Sequence, residues 1–288
     1  MSTITDTEIT RYQDKGFIVV PDLLSPAELS EIREELADLM ARADQVSQSD
    51  ATYDLGPAHT RERVDVRRIK APHAVMPSVK RLISHSGMVD VLTRLIGPNV
   101  RFQTSKLNIK AAGDGAAVEW HQDWAFYPHT NDDLLAVGIM LDDMTPENGP
   151  LQFLPGSHKG PVYDHHAKGF FCGAIDPIKS GLGFENAESI TGSAGSMSFH
   201  HVRAVHGSAP NRSQTSRNFL LFQFTAADAF PLVHTVSDLA AYDRWIIAGE
   251  PTIEPRVTAV PVRMPLPPAP DQGSIYANQS NADNQFFE

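Results

Sequence analysis

A chain of 288 residues, 41% apolar and 20% charged, has a globular composition and is long enough to bury a full core. Its 24 Lys+Arg against 35 Asp+Glu leave a net charge of −11, which argues against nucleic acid and anionic membranes as partners. A lone cysteine, Cys172, excludes an internal disulfide, a multi-cysteine zinc site and an iron–sulfur cluster. The polar start MSTITDTEIT has no apolar core of a secretory signal, and no stretch approaches the ~18 apolar residues of a membrane span. A soluble cytoplasmic protein is expected.

Phe17-Ile18-Val19-Val20 reads as a short strand after Gly16. Ser25-Pro26-Ala27-Glu28 has the pattern of a capping box, and Leu29, Ile32, Leu36, Leu39 and Met40 continue it at helical spacing to about Ala43. Residues 46–65 are polar and read as a loop. A second helical region is expected over 77–96, ended by Gly97-Pro98. From about Val100 short β-forming runs alternate with turns: 101–110, 118–123, 134–141, 151–154, 196–201 and 219–225. Many short strands after helices imply an α+β, mainly β sandwich or barrel. Residues 160–194 have weak periodicity and read as an insertion; the Pro-rich tail over 264–271 reads as extended.

The chemistry gathers in two places. In Trp-His-Gln-Asp-Trp, His121 and Asp123 are two apart and on a strand would share a face. An imidazole and a carboxylate converging in this way suit a divalent metal, and a second histidine would complete the two-His, one-carboxylate set of non-haem Fe(II) oxygenases. His206 is the favoured second histidine; His200 and His201 are alternatives. A polar turn separates His206 from Arg217, whose planar fork can grip a carboxylate if a hairpin brings the two together, and Ser208 is placed to add a hydroxyl. Each residue also has a plain reading, as a surface His-Asp pair or an arginine leaving a turn.

Three stretches together, WHQDWAFYP (120–128), ENGPLQFLPGSHKG (147–160) and VHGSAPNRSQTSR (205–217), resemble the phytanoyl-CoA dioxygenase family of Fe(II)/2-oxoglutarate-dependent oxygenases. GFIVVPDLLSPAEL (16–29) resembles the family's opening strand and helix, and the likeness spans roughly residues 10–230. The resemblance implies a double-stranded β-helix, a cupin-like jelly roll with N-terminal helices packed on one sheet. The whole chain would form a single domain: a helical part over 1–99, a jelly-roll core over 100–230 with the insertion, and a C-terminal extension over 231–288. It implies His121, Asp123 and His206 as iron ligands, Arg217 and Ser208 as holders of the far carboxylate of 2-oxoglutarate, and Lys70 and Lys106 as further cosubstrate residues. Where some relatives carry a tryptophan this chain has Gly138, which puts the shape of the cosubstrate pocket in question. His158 and Cys172 read as structural, and Trp124, Phe126 and Tyr127 as candidate substrate-pocket aromatics.

The cofactors implied are Fe(II), 2-oxoglutarate and O2. The implied reaction oxidises a C–H bond of a small metabolite or natural-product intermediate and releases succinate and CO2. Asp123 speaks against a halogenase, in which a small residue leaves room for chloride. A cupin-like metalloenzyme without 2-oxoglutarate would not need Arg217, and a jelly-roll binding module would need no triad.

Overall fold

Capping boxes open the first two helices. The computed structural model describes residues 4–113, 115–270 and 273–287. In α1 (Asp6–Lys15) the Glu8 amide donates to the Thr5 hydroxyl while the Glu8 carboxylate accepts from the Thr5 amide. α1 has few apolar residues, so its cap marks it better than any periodicity. Gly16 stops the helix in the left-handed region at φ 86°. β1 (Phe17–Val20) follows, and the expected Ser25/Glu28 box opens α2 (Pro26–Arg42).

Residues 1–99 are less helical than expected. β2 (Tyr53–Leu55) lies inside the stretch read as a loop and pairs with β3 (Val66–Lys70). A short helix α3 (Pro72–Val75) precedes the helical region expected over 77–96, which is itself divided into α4 (Pro77–Leu82) and α5 (Ser86–Ile96). The break before α5 arises because His85 leaves helical geometry, at φ −59° and ψ 123°, and its side chain accepts from the Met88 amide. There follow β4 (Val100–Lys110), β5 (Val118–His121), β6 (Leu134–Met140), β7 (Leu151–Phe153), β8 (His166–Ala167), β9 (Phe170–Phe171) and β10 (Glu188–Ser189). The chain ends with β11 (Met197–His201), β12 (His206–Ser208), β13 (Arg217–Ala226), α6 (Leu239–Asp243), β14 (Ile246–Ala248) and α7 (Ile275–Gln279).

Among the described residues the strands other than β8 and β9, which pair only with each other, form the two-sheet jelly roll that was expected. The large sheet runs β1-β11-β6-β13-β4-β3-β2, with β14 beside β4, and the small sheet runs β10-β7-β12-β5. The two-residue side-chain period of a strand assigns each residue to a face. Leu135, Val137 and Ile139 of β6, with Leu220, Phe222 and Phe224 of β13, pack outward beneath Leu29, Ile32 and Leu36 of α2 and Val91 and Leu92 of α5. Each such side chain contributes about 1.5–3 kcal/mol when fully buried. The opposite face of the same strands looks toward the small sheet, where Met140, Phe219 and Leu221 meet Leu151 and Phe153. No helix among the described residues is long and apolar enough to cross a membrane.

Candidate active site

Strand register brings the first two imidazoles together. β12 pairs with β5 so that His206 stands opposite His121, with ring centroids 4.1 Å apart. His121 ends its strand, and Asp123 begins a 3-10 turn over Asp123–Ala125. The pair therefore does not share a strand face as expected; the turn brings the carboxylate back to the imidazoles. Ligand atoms of His121, Asp123 and His206 all lie within 4.8 Å of one another, and all three residues are buried. His121 Nδ1–H donates to the Glu119 carbonyl at 2.7 Å and His206 Nδ1–H to the Ala204 carbonyl at 3.0 Å. These bonds set each tautomer and leave both Nε2 lone pairs free for a metal.

The protonation states match that use. Burial pushes the His121 pKa down to about 4 and the His206 pKa well below its ordinary value, so both are neutral at pH 7. Burial would raise the Asp123 pKa, but Lys106, His200 and the two triad histidines outweigh it and hold the carboxyl well below its usual range. Two neutral imidazoles and an ionised carboxylate are a donor set that fits Fe(II) without a proton to displace.

β11 alternates the two competing histidines. His200 faces inward, its Nε2 3.6 Å from Asp123 Oδ2 and its ring 4.8 Å from that of His206, and neither ring nitrogen has a hydrogen-bond partner among the described residues. His201 faces outward, near Asp132 and the ring of His158. His158 receives no part in the site; its Nε2 meets the Gln13 carbonyl at 3.1 Å. Cys172 is buried against the His165 carbonyl.

Beside the triad lies a chamber of about 30 Å³ whose wall includes Lys106, Ser208 and Arg217. Arg217 does not reach it through a hairpin with His206. β12 belongs to the small sheet and β13 to the large one, where Arg217 stands opposite Lys110. The connection crosses between the sheets, and both side chains face the interior. Arg217 Nη2 donates to the Gly149 carbonyl at 2.7 Å, its Nε has no partner among the described residues, and its guanidinium carbon lies 5.3 Å from the centre of the Phe219 ring. Burial lowers its pKa to about 10, so it remains cationic at neutral pH.

Lys70 is a correction. It stands opposite Lys106, but its ammonium donates to the Asp50 carbonyl at 2.8 Å and is not part of the chamber wall. Arg68, one pleat earlier on β3, reaches the chamber instead and donates from Nε to Asn108 at 3.0 Å. Lys110 also lines the chamber; the two-residue period from Lys106 through Asn108 could have indicated it. Tyr276 lines it too, from the C-terminal extension, where no motif pointed to it. Gly138 faces the interior, where a Cβ would come 2.1 Å from the Phe219 ring, so Phe219 takes the space of a larger residue at 138.

The three aromatics after the metal motif have different places. Trp124 is core: it is 1% exposed, packs with Leu134 and Val202, and donates from Nε1 to the Pro261 carbonyl. Phe126 packs edge-on against His121 and Phe171. Tyr127 alone of the three lines an open cavity of about 640 Å³, together with Thr104, Gln223, Tyr242 and Trp245. Its hydroxyl faces Asp123 and Gln223, so this cavity approaches the triad from another side than the chamber.

The sequence profile of the phytanoyl-CoA dioxygenase family matches residues 12–219. A Stutzerimonas stutzeri protein named a probable alpha-ketoglutarate-dependent hypophosphite dioxygenase is 36% identical over 280 residues, 96% of this chain and 97% of that protein. The L-proline trans-4-hydroxylase of Streptomyces griseoviridis is 28% identical over 241 residues, 77% of this chain and 86% of that protein. The iron-bound crystal structure of EctD from S. alaskensis shares the fold, with a TM-score of 0.68 at 22% identity, covering 91% of this chain and 89% of that one. With 36% identity to one such relative over nearly the full length and a profile match running from α1 to the entry of β13, the chain belongs to the phytanoyl-CoA dioxygenase family of Fe(II)- and 2-oxoglutarate-dependent oxygenases.

Proposed function

We propose that His121, Asp123 and His206 hold Fe(II), that Arg217 and Ser208 receive the far carboxylate of 2-oxoglutarate, and that Lys106 supports its near end. The substrate is a small organic molecule that reaches the iron from the open cavity past Tyr127, and the whole chain works as one catalytic unit. The observation that carries this reading is the meeting of a buried His/Asp/His set with a buried guanidinium in one small chamber. When bound, iron with 2-oxoglutarate and O2 supplies the oxidising chemistry, releasing succinate and CO2. The chain's own residues set geometry and charge. The backbone carbonyls of Glu119 and Ala204 fix the imidazole tautomers. Lys106 keeps Asp123 ionised, and the guanidinium fixes which end of the dicarboxylate faces away from the metal.

A second reading is oxidation of a P–H bond in a small phosphorus oxyanion, the substrate class named for the Stutzerimonas relative. It is favoured by the second guanidinium in the chamber wall, Arg68, which stands there beside Lys106 in addition to Arg217. The test is succinate formation with Fe(II), 2-oxoglutarate and O2 in the presence of hypophosphite or of a panel of amino acids and cyclic osmolytes. Succinate matched one-to-one by hydroxylated organic product supports the first reading. Stoichiometric phosphite detected by phosphorus NMR, with no organic compound turned over, replaces it with the second.

A further inference from the structure

The C-terminal segment lies beyond the residues matched by the family profile, yet it reaches the site. Its short helix α7 is capped by Ser274, which accepts from the Ala277 amide. Three fastenings hold the segment to β5, the strand that carries His121. The Gln279 side chain accepts from the Glu119 amide at 2.9 Å and donates to the carbonyls of Gly173 at 3.0 Å and Glu119 at 3.3 Å. That same Glu119 carbonyl accepts from His121 Nδ1. The Glu119 carboxylate accepts from the Phe286 amide at 2.7 Å and the Phe287 amide at 3.4 Å. Phe287 stacks on Trp120 with ring centroids 5.4 Å apart.

This fastening places Tyr276 in the chamber wall with Arg217 and Ser208. The guanidinium carbons of Arg67 and Arg68 lie 5.3 and 5.7 Å from the centre of its ring, within cation–π range. The phenol is thus held from one side by two cations and closes a space that also holds the Arg217 charge. Among the described residues no group hydrogen-bonds its hydroxyl, and its burial keeps the phenol protonated, as a donor. An O–H donor without a protein partner, in a chamber built around an unsatisfied guanidinium, is complementary to a carboxylate.

We propose that Tyr276 is a cosubstrate-binding residue whose hydroxyl donates to the far carboxylate of 2-oxoglutarate beside Arg217, and that the described segment 273–287 is the chamber's outer wall. This rests on the reading of Arg217 as the far-carboxylate site. Losing one hydrogen bond to a charged group costs roughly 10- to 100-fold in affinity.

The test is calorimetric titration of 2-oxoglutarate into the Mn(II)-loaded protein without O2, alongside separate Mn(II) titration of the metal-free protein. Tyr276→Phe is expected to weaken 2-oxoglutarate about tenfold or more with Mn(II) affinity unchanged, a split that general loosening of the fold would not produce. Tyr276→Ala, which also removes the ring beneath Arg68, is expected to weaken it further. Arg217→Ala is the control. If Arg217→Ala weakens 2-oxoglutarate while Tyr276→Phe stays within twofold of wild type, the role of Tyr276 is overturned and the cosubstrate reading stands. If Arg217→Ala is also within twofold, the cosubstrate reading falls and this inference with it.

Discussion

Replacing Arg217 by alanine probes the cosubstrate site most directly. The side chain is 2% exposed, and among the described residues its Nε lacks a partner and no carboxylate lies within ion-pair distance of it. Among the described residues its one hydrogen bond runs from Nη2 to the Gly149 carbonyl. A cation held out of water without a counter-charge is costly, and the cost is relieved when a carboxylate arrives. With that cation gone the carboxylate would enter the same desolvated space unpaired. Truncating one member of a buried, hydrogen-bonded charge pair costs about 2–5 kcal/mol. At ~1.4 kcal/mol per tenfold, the KM for 2-oxoglutarate should rise roughly 30-fold to several thousand-fold. Arg217→Lys should recover part of the loss, because the ammonium keeps the charge but not the planar fork. The assay is succinate production against 2-oxoglutarate concentration at saturating Fe(II). A curve left unmoved by Arg217→Ala would refute the assignment and leave Arg68, whose buried Nη2 also lacks a partner among the described residues, as the other guanidinium of the chamber.

His206→Ala is expected to abolish Fe(II)-dependent succinate formation and tight metal binding, whereas His200→Ala should keep the metal; a reversed pair of results would make His200 the distal ligand. Gly138→Ala should lower stability by about 1–3 kcal/mol, the usual cost of overpacking, because the new Cβ would sit 2.1 Å from the Phe219 ring and 2.6 Å from Ser198 Oγ; an unchanged thermal midpoint would count against the packing described. Metal-free protein should lose stability as pH falls below about 6.5. His121, His129 and His165 stay neutral when folded, with pKa values about 4, 4 and 3 against 6.5 unfolded, so the unfolded chain binds more protons in that window. Each histidine adds up to ~1.4 kcal/mol per pH unit until its folded pKa is reached. Urea midpoints equal at pH 7 and pH 5 would contradict the buried neutral histidines.

Local signals were legible wherever a few neighbouring residues decide the outcome. The Ser25/Glu28 box, the apolar spacing of α2 and the β-forming runs from Val100 onward each depend on contacts within a few residues, and each appears where expected. The His-x-Asp pair was legible as chemistry but not as geometry. Asp123 leaves the strand, and it is the turn that returns its carboxylate to His121. His200 and His201 were equivalent as sequence; only the pairing of His200 with Ala136 settles which of them faces inward.

An α+β, mainly β chain was readable from period and turn spacing, and the jelly roll from the resemblance carried by three motifs, because those signals are local in the chain. Which basic side chains surround the chamber and what closes it depend on contacts between distant parts of the chain. Lys70 and Arg68 differ by one pleat of a strand too short to show its register, and their roles follow from what β4 places opposite them and from Asp50, which captures the lysine. Trp124 and Tyr127 stand three residues apart, yet one is core and the other lines the open cavity, because the turn after Asp123 directs them to different neighbours. Tyr276 reaches the site through the bonds of Gln279 and Phe286 to Glu119, contacts far apart along the chain that no local pattern encodes.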